Sequence, residues 1–151
     1  MVIYDEKVKE RLKSGESTPV ERFRAEICEA VAKNLPQVTV FYSAQEQGSQ
    51  KPAVFARLDK MKVGKKLGGI EEVTIEVALR FLPKRAADDA ENELFMTAAA
   101  EAAGELGGYA AAFSAERTEK GAKAVITIRF EQKNAEGDTD GVMRVLEMNE
   151  E

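Results

Sequence analysis

Glu72-Val73-Thr74-Ile75-Glu76-Val77-Ala78-Leu79-Arg80-Phe81 decides how this chain folds. Apolar side chains fall at Val73, Ile75, Val77, Leu79 and Phe81, with Glu72, Thr74, Glu76 and Arg80 between them. Side chains on a strand point to alternate faces, so the stretch has one oily face and one solvated face. A helix would scatter the same apolar residues around its circumference. The pattern predicts the central strand of an antiparallel sheet, the arrangement that can leave one face to water.

On its N-terminal side, Lys51-Pro52 opens a strand over Ala53–Met61, and proline is tolerated at that first position. Between the two strands, Val63 to Glu71 holds Gly64, Lys65, Lys66, Gly68 and Gly69. Glycines beside lysines suggest a phosphate loop, but the spacing is not that of a Walker A motif and a strand follows, not a helix N-terminus. A flexible hairpin loop is the expectation, with Lys65 and Lys66 on a mobile tip as candidate contacts to a partner or the DNA backbone.

On the C-terminal side, Leu82-Pro83-Lys84 ends the pairing, and Asp88 or Asp89 caps a helix. Leu94, Ala98 and Ala102 form one edge of its apolar stripe; Phe95, Ala99, Ala103 and Leu106 form the other. Gly104 or Gly107-Gly108 ends it. Tyr109–Thr118 and Ala124–Phe130 alternate across a turn at Glu119-Lys120-Gly121 and read as a hairpin. Gln132–Gly141 reads as a loop. Val142–Met148 is too apolar for a free tail and reads as a last edge strand or an arm on another subunit, with Val142, Val145 and Leu146 as candidate subunit contacts.

Upstream, Thr18-Pro19-Val20-Glu21 is a helix start: Thr18 caps, Pro19 suits the first helical position, and Glu21 closes a capping box. The helix runs from Pro19 to Asn34 and stops before Pro36. Gln37–Tyr42 follows as a short strand, then a polar loop over Ser43–Lys51. Residues 1–17 read as a mobile arm or a short helix; residues 18–148 read as a single domain. The fold class is α+β: a mainly antiparallel sheet with two helices packed on one face, in the order α-β-β-β-α-β-β with an optional final strand.

Composition narrows the function. The chain has 151 residues, 44% apolar and 32% charged, enough for one domain with a core. No window approaches the ~20 apolar residues of a membrane span. A single cysteine, Cys28, rules out an internal disulfide framework and favours a reducing, intracellular setting. Cys28 itself reads as a small buried hydrophobe. The absence of histidine excludes Ser-His-Asp and Cys-His nucleophile systems and all but excludes a zinc site. A net charge of -5 disfavours broad nucleic-acid binding.

In element order and local pattern the chain resembles the tail terminator proteins of tailed bacteriophages and phage-like particles. The resemblance rests on Leu35-Pro36 leading into a strand with Tyr42, a Gln-rich loop before Lys51-Pro52-Ala53-Val54-Phe55, and Arg80-Phe81-Leu82-Pro83 closing the alternating strand. Ile128-Arg129-Phe130 in the final hairpin and Met143 with Leu146-Glu147 near the C-terminus complete it. It implies a virion structural protein of the tail or neck, made in the host cytoplasm, with no catalytic residue, cofactor or metal. It implies a homohexameric ring on the head-proximal end of the tail tube. Such a ring ends tube polymerisation, meets the head connector and, in contractile tails, the sheath, and lets DNA pass without specific binding. It implies no membrane association. Two other readings stand beside it. One is another neck or minor tail component, such as a head-tail joining protein. The other is a small-ligand or enzyme domain using Glu72, Glu76 and Arg80 on the solvated strand face.

Overall fold

The computed structural model describes residues 1–43 and 51–133. Among them the order is β1 (Val2–Ile3), α1 (Glu6–Ser14), α2 (Pro19–Asn34), β2 (Thr39–Phe41), β3 (Ala53–Lys65), β4 (Ile70–Leu82), α3 (Asp89–Glu105), β5 (Ala110–Arg117) and β6 (Ala122–Lys133). The strands form one six-stranded sheet in the order β1-β2-β3-β4-β6-β5. The class is α+β, as expected. β3, β4, β6 and β5 pair antiparallel, while β1–β2 and β2–β3 pair parallel. Alternation does not encode strand direction, so the parallel edge leaves no trace in the sequence.

β4 lies at the centre, between β3 and β6. Val73, Ile75, Val77 and Leu79 are fully buried and Phe81 nearly so. Their cross-strand partners on β6 include Phe130, Ile128, Ile126 and Ala124, which face the same way. α2 and α3 pack against each other and against this face. Each contributes a narrow, small-residue stripe: Ile27, Cys28 and Val31 from α2, and Phe95, Ala98, Ala99 and Ala102 from α3. The alanines let α3 lie close to the sheet, and the Phe81 and Phe95 rings stack with centroids 4.9 Å apart.

Local chemistry sets the element ends. Thr18 and Glu21 form the reciprocal capping box, with Glu21 N–H donating to Thr18 Oγ1 at 3.1 Å and Thr18 N–H to Glu21 Oε1 at 3.0 Å. The same Glu21 carboxylate accepts from Arg11 of α1, whose Nε lies 3.0 Å from Oε2. Glu21 thus ties the N-terminal helix to the cap of the next. Asp88 caps α3 by accepting from Glu91 N–H at 3.0 Å. Gly107, with φ of 60°, ends the helix run, whereas Gly104 lies inside it.

Several strand boundaries differ from expectation. Val63–Glu71 is not a long loop: β3 continues to Lys65 and β4 starts at Ile70, leaving a single 3₁₀ turn at Leu67–Gly69. Gly68 and Gly69 close it at φ of 77° and 76°, which only glycine adopts readily. The ladder persists because β6 runs alongside β4 as far as Lys133, opposite Ile70. β6 likewise starts at Ala122, not Ala124, directly after Gly121. A Cβ on Gly121 would collide with the Phe81 carbonyl and sit 2.7 Å from Pro83 Cδ, so that turn needs glycine for close approach. Gln132, expected to open a loop, is instead in β6 with Lys133, because both pair with β4. The rest of the Gln132–Gly141 reading and the Val142–Met148 segment lie outside the described residues, as does most of the Ser43–Lys51 loop.

Three outcomes test this packing. Phe81→Ala removes a buried ring and its stacking partner's contact, and should cost about 3–5 kcal/mol in urea unfolding. Arg11 and the Thr18 cap hold the Glu21 carboxyl below its ordinary 4.5. A carboxylate lowered in the folded state contributes stability above its unfolded value and loses it as pH falls through the folded one. Glu21→Gln should therefore be less stable than the parent at pH 7, and the gap should narrow progressively in unfolding curves as pH falls below about 4.5. Burial pushes the Cys28 thiol up to about 12. It should resist thiol-reactive dyes in the folded chain and react fully in denaturant.

Candidate functional site

The face of the sheet away from the helices is the first place to look for chemistry. Glu72, Glu76 and Arg80 do lie on it, each four residues from the next along β4. At about 3.3 Å per residue that spacing puts neighbours roughly 13 Å apart. They cannot converge on one atom of a substrate. Glu76 stands opposite Lys60 and Thr127, and Glu72 lies 3.8 Å from Lys66. The Arg80 guanidinium sits 5.7 Å from the Phe55 ring centre. Phe55 stacks on Phe41, centroids 5.1 Å apart, and with Ala53 and Leu82 they make a small apolar island at one end of this face. Among the described residues no group of three or more acids, cysteines or histidines is placed to hold a metal ion.

The clefts are shallow. One, of about 410 Å³, runs between α2 and α3 over Ala25, Ala30, Ala102 and Leu106. A second, of about 400 Å³, lies where α2 ends and α3 begins, among Leu35, Val38, Pro52, Phe81 and Leu94. The first is rimmed by Arg22, Glu26, Glu29, Lys33 and Glu105, with Lys33 paired to Glu105 at 3.1 Å. A third and wider one, about 660 Å³, lies by Tyr109 and Phe130 with Glu72, Arg129 and Glu131 around it. No helix among the described residues is long and apolar enough to cross a membrane.

The unsatisfied features lie at the sheet's margins. β2 pairs with β3 only as far as Phe55. Arg24 then reaches over the Tyr42 ring, its guanidinium 4.2 Å from the centroid, and donates to the carbonyls of Tyr42 at 2.6 Å and Ala56 at 3.3 Å. Beyond Ala56 the outer side of β3 has no strand partner among the described residues, and every residue from Asp59 to Lys65 is exposed among them. A bulge between Leu58 and Lys60 shifts the register there. Met61, Val63 and Leu67 are large apolar residues left 50%, 46% and 94% exposed.

The opposite margin is β5, which among the described residues pairs with β6 on one side only. Ala111, Ala112, Phe113 and Ser114 are exposed on it. It carries neither lysine nor proline, the residues that usually blunt an edge. Arg117 at its end turns back to Asp89 and the Ala86 carbonyl.

Lys65 and Lys66 part company in the structure. Lys65 is the last residue of β3, exposed and without a salt bridge among the described residues. Lys66 folds back on the open sheet face, its Nζ 2.6 Å from Glu131, and the two carboxylates nearby raise its affinity for a proton. Val142, Val145 and Leu146 lie outside the described residues. Sequence reading missed the β3 margin, because a strand alternates in the same way at an edge as in the middle. The single available signal was the run of lysines on a strand that otherwise reads as apolar.

A family model described as phage tail terminator protein matches residues 22–102, more than half of the chain. The match spans α2, the β2–β3–β4 part of the sheet and most of α3. No curated protein matches the chain by sequence. The family is one of structural proteins. The chain belongs to the phage tail terminator proteins, and so has a structural role in a phage tail.

Proposed function

We propose that the chain assembles head-to-tail into a closed ring, a homohexamer, that caps the head-proximal end of the tail tube. The ring ends tube polymerisation and offers a surface to the head connector and, in a contractile tail, to the sheath. DNA passes through its centre without specific binding. The observation that carries this reading is the pair of open sheet margins on opposite sides of one rigid sheet, in a member of the tail terminator family. Contact between two unlike surfaces repeats, and it gives a ring when the rotation closes.

The net charge of -5 suits a conduit, because an acidic wall does not grip a polyanion. Lys65, at the free end of β3, is placed to touch a partner or the DNA backbone, whereas Lys66 is engaged with Glu131. Val142, Val145 and Leu146 extend the subunit contact.

The purified chain, mixed with elongating tail tube protein, should hold tubes at a fixed length, and electron microscopy should show a ring at one tube end. Tubes that lengthen unchecked would overturn the reading. Deleting residues 142–151 should lower the oligomeric state seen by light scattering. An unchanged oligomer would remove Val142, Val145 and Leu146 from the contact.

A further inference from the structure

The two sheet margins match each other. β3 runs antiparallel to β4, β4 to β6, and β6 to β5, so β5 runs opposite to β3. A second copy placed beside the first by rotation about an axis along the strands keeps strand directions and sheet faces. Its β3 would then meet the first copy's β5 antiparallel, helix side beside helix side.

The lengths also fit. β5 has eight residues. The open part of β3, Arg57 to Lys65, begins where the Arg24 cap on Ala56 ends. Sliding β5 along so that it clears the neighbour's β2 sets Phe113 opposite Met61 and Ala111 opposite Val63. Met61, Val63 and Phe113 are on the helix side, opposite Ile75, Val73 and Ile126, while Ala111 sits at the register shift between Ala110 and Ala112. On the open side Ser114 then faces Lys60. Across the Leu58/Lys60 bulge, Glu116 comes opposite Arg57 and diagonal to Lys60.

Charge points the same way. Of the five basic side chains from Arg57 to Lys66, Arg57 pairs with Asp59 and Lys66 with Glu131, which leaves Lys60, Lys62 and Lys65 without a salt bridge among the described residues. The β5 end offers Glu116, since Arg117 is engaged with Asp89 and Glu119 in the turn beyond has Lys120 beside it. Pairing two β3 edges about a two-fold would set lysines against lysines, a like-charge cost that disfavours a closed dimer. We propose that the open edge of β3 receives β5 of a second copy of this chain, in the register Met61–Phe113, so that the sheets of neighbouring subunits join into one. The proposal rests on the ring reading above and assigns its interface.

Cysteine pairing tests it, and the buried Cys28 does not interfere. A chain carrying both Met61→Cys and Phe113→Cys should, once assembled and mildly oxidised, give a ladder of covalent multimers on a non-reducing gel. Phe113→Cys alone should give none. An assembled double variant that yields no multimers would overturn the pairing and leave the ring reading standing, as would dimers from Phe113→Cys alone. A parent chain that never self-associates, even at tube ends, would end both. As a second arm, Lys60→Glu with Lys62→Glu should weaken assembly at least tenfold at low salt, and adding Glu116→Lys should restore most of it. Assembly indifferent to these changes would also overturn the pairing.

Discussion

Burial of a single sheet face under two small-residue helices is the constraint on which the rest of this molecule depends. β4 places five apolar side chains on that face, and α2 and α3 cover them with alanines, Ile27, Val31 and Phe95. Alanine stripes allow close approach but supply little area, so much of the cohesion comes from few large side chains such as Phe81, Phe95, Ile75 and Ile126. Both helices are spent on this face. None of the described elements remains to cover the other, and that face stays polar apart from the Phe41–Phe55 island.

One-sided cover also shapes the margins. A sheet clasped from one side can lengthen its central strands beyond the helices, and β3, β4 and β6 do so together. The hairpin they form carries Met61, Val63 and Leu67 into solvent. Isolated exposed apolar residues are ordinary, but here they follow a backbone edge that lacks a partner. The ionisable groups Glu72, Glu76 and Arg80 of the solvated face do not converge. Along β4 they are strung out in a row, each answered by a neighbour across the strand. Among the described residues, the backbone of the two sheet edges is left with unmet bonding capacity.

Much of the fold was legible from residue order alone. The period-two run from Val73 to Phe81, the Thr18 box and the Asp88 cap each report on interactions within a few residues, and all three stand as expected. What escaped was set at longer range. The parallel pairing of β1 and β2 depends on where Met1 and Ile3 carbonyls meet Val40 and Tyr42 N–H groups, 2.9 Å apart in each case. The short turn at Leu67–Gly69 depends on β6 extending alongside β4, although Gly64, Gly68 and Gly69 together read as a loop. The candidate surfaces were the least legible part. Whether Lys66 is free or held follows from Glu131, 65 residues away in sequence. Whether Phe113 is covered follows from its strand being the last in the sheet.

The burial of Cys28 has a consequence for the life of the particle. Its sulfur is sealed between α2 and the sheet, and the group holds its proton far above neutral pH. Air, glutathione and peroxide act on exposed thiolates, and the folded chain presents none from this residue. A virion component is made in one redox environment and works in another. This subunit crosses between them without a bond to form, break or repair.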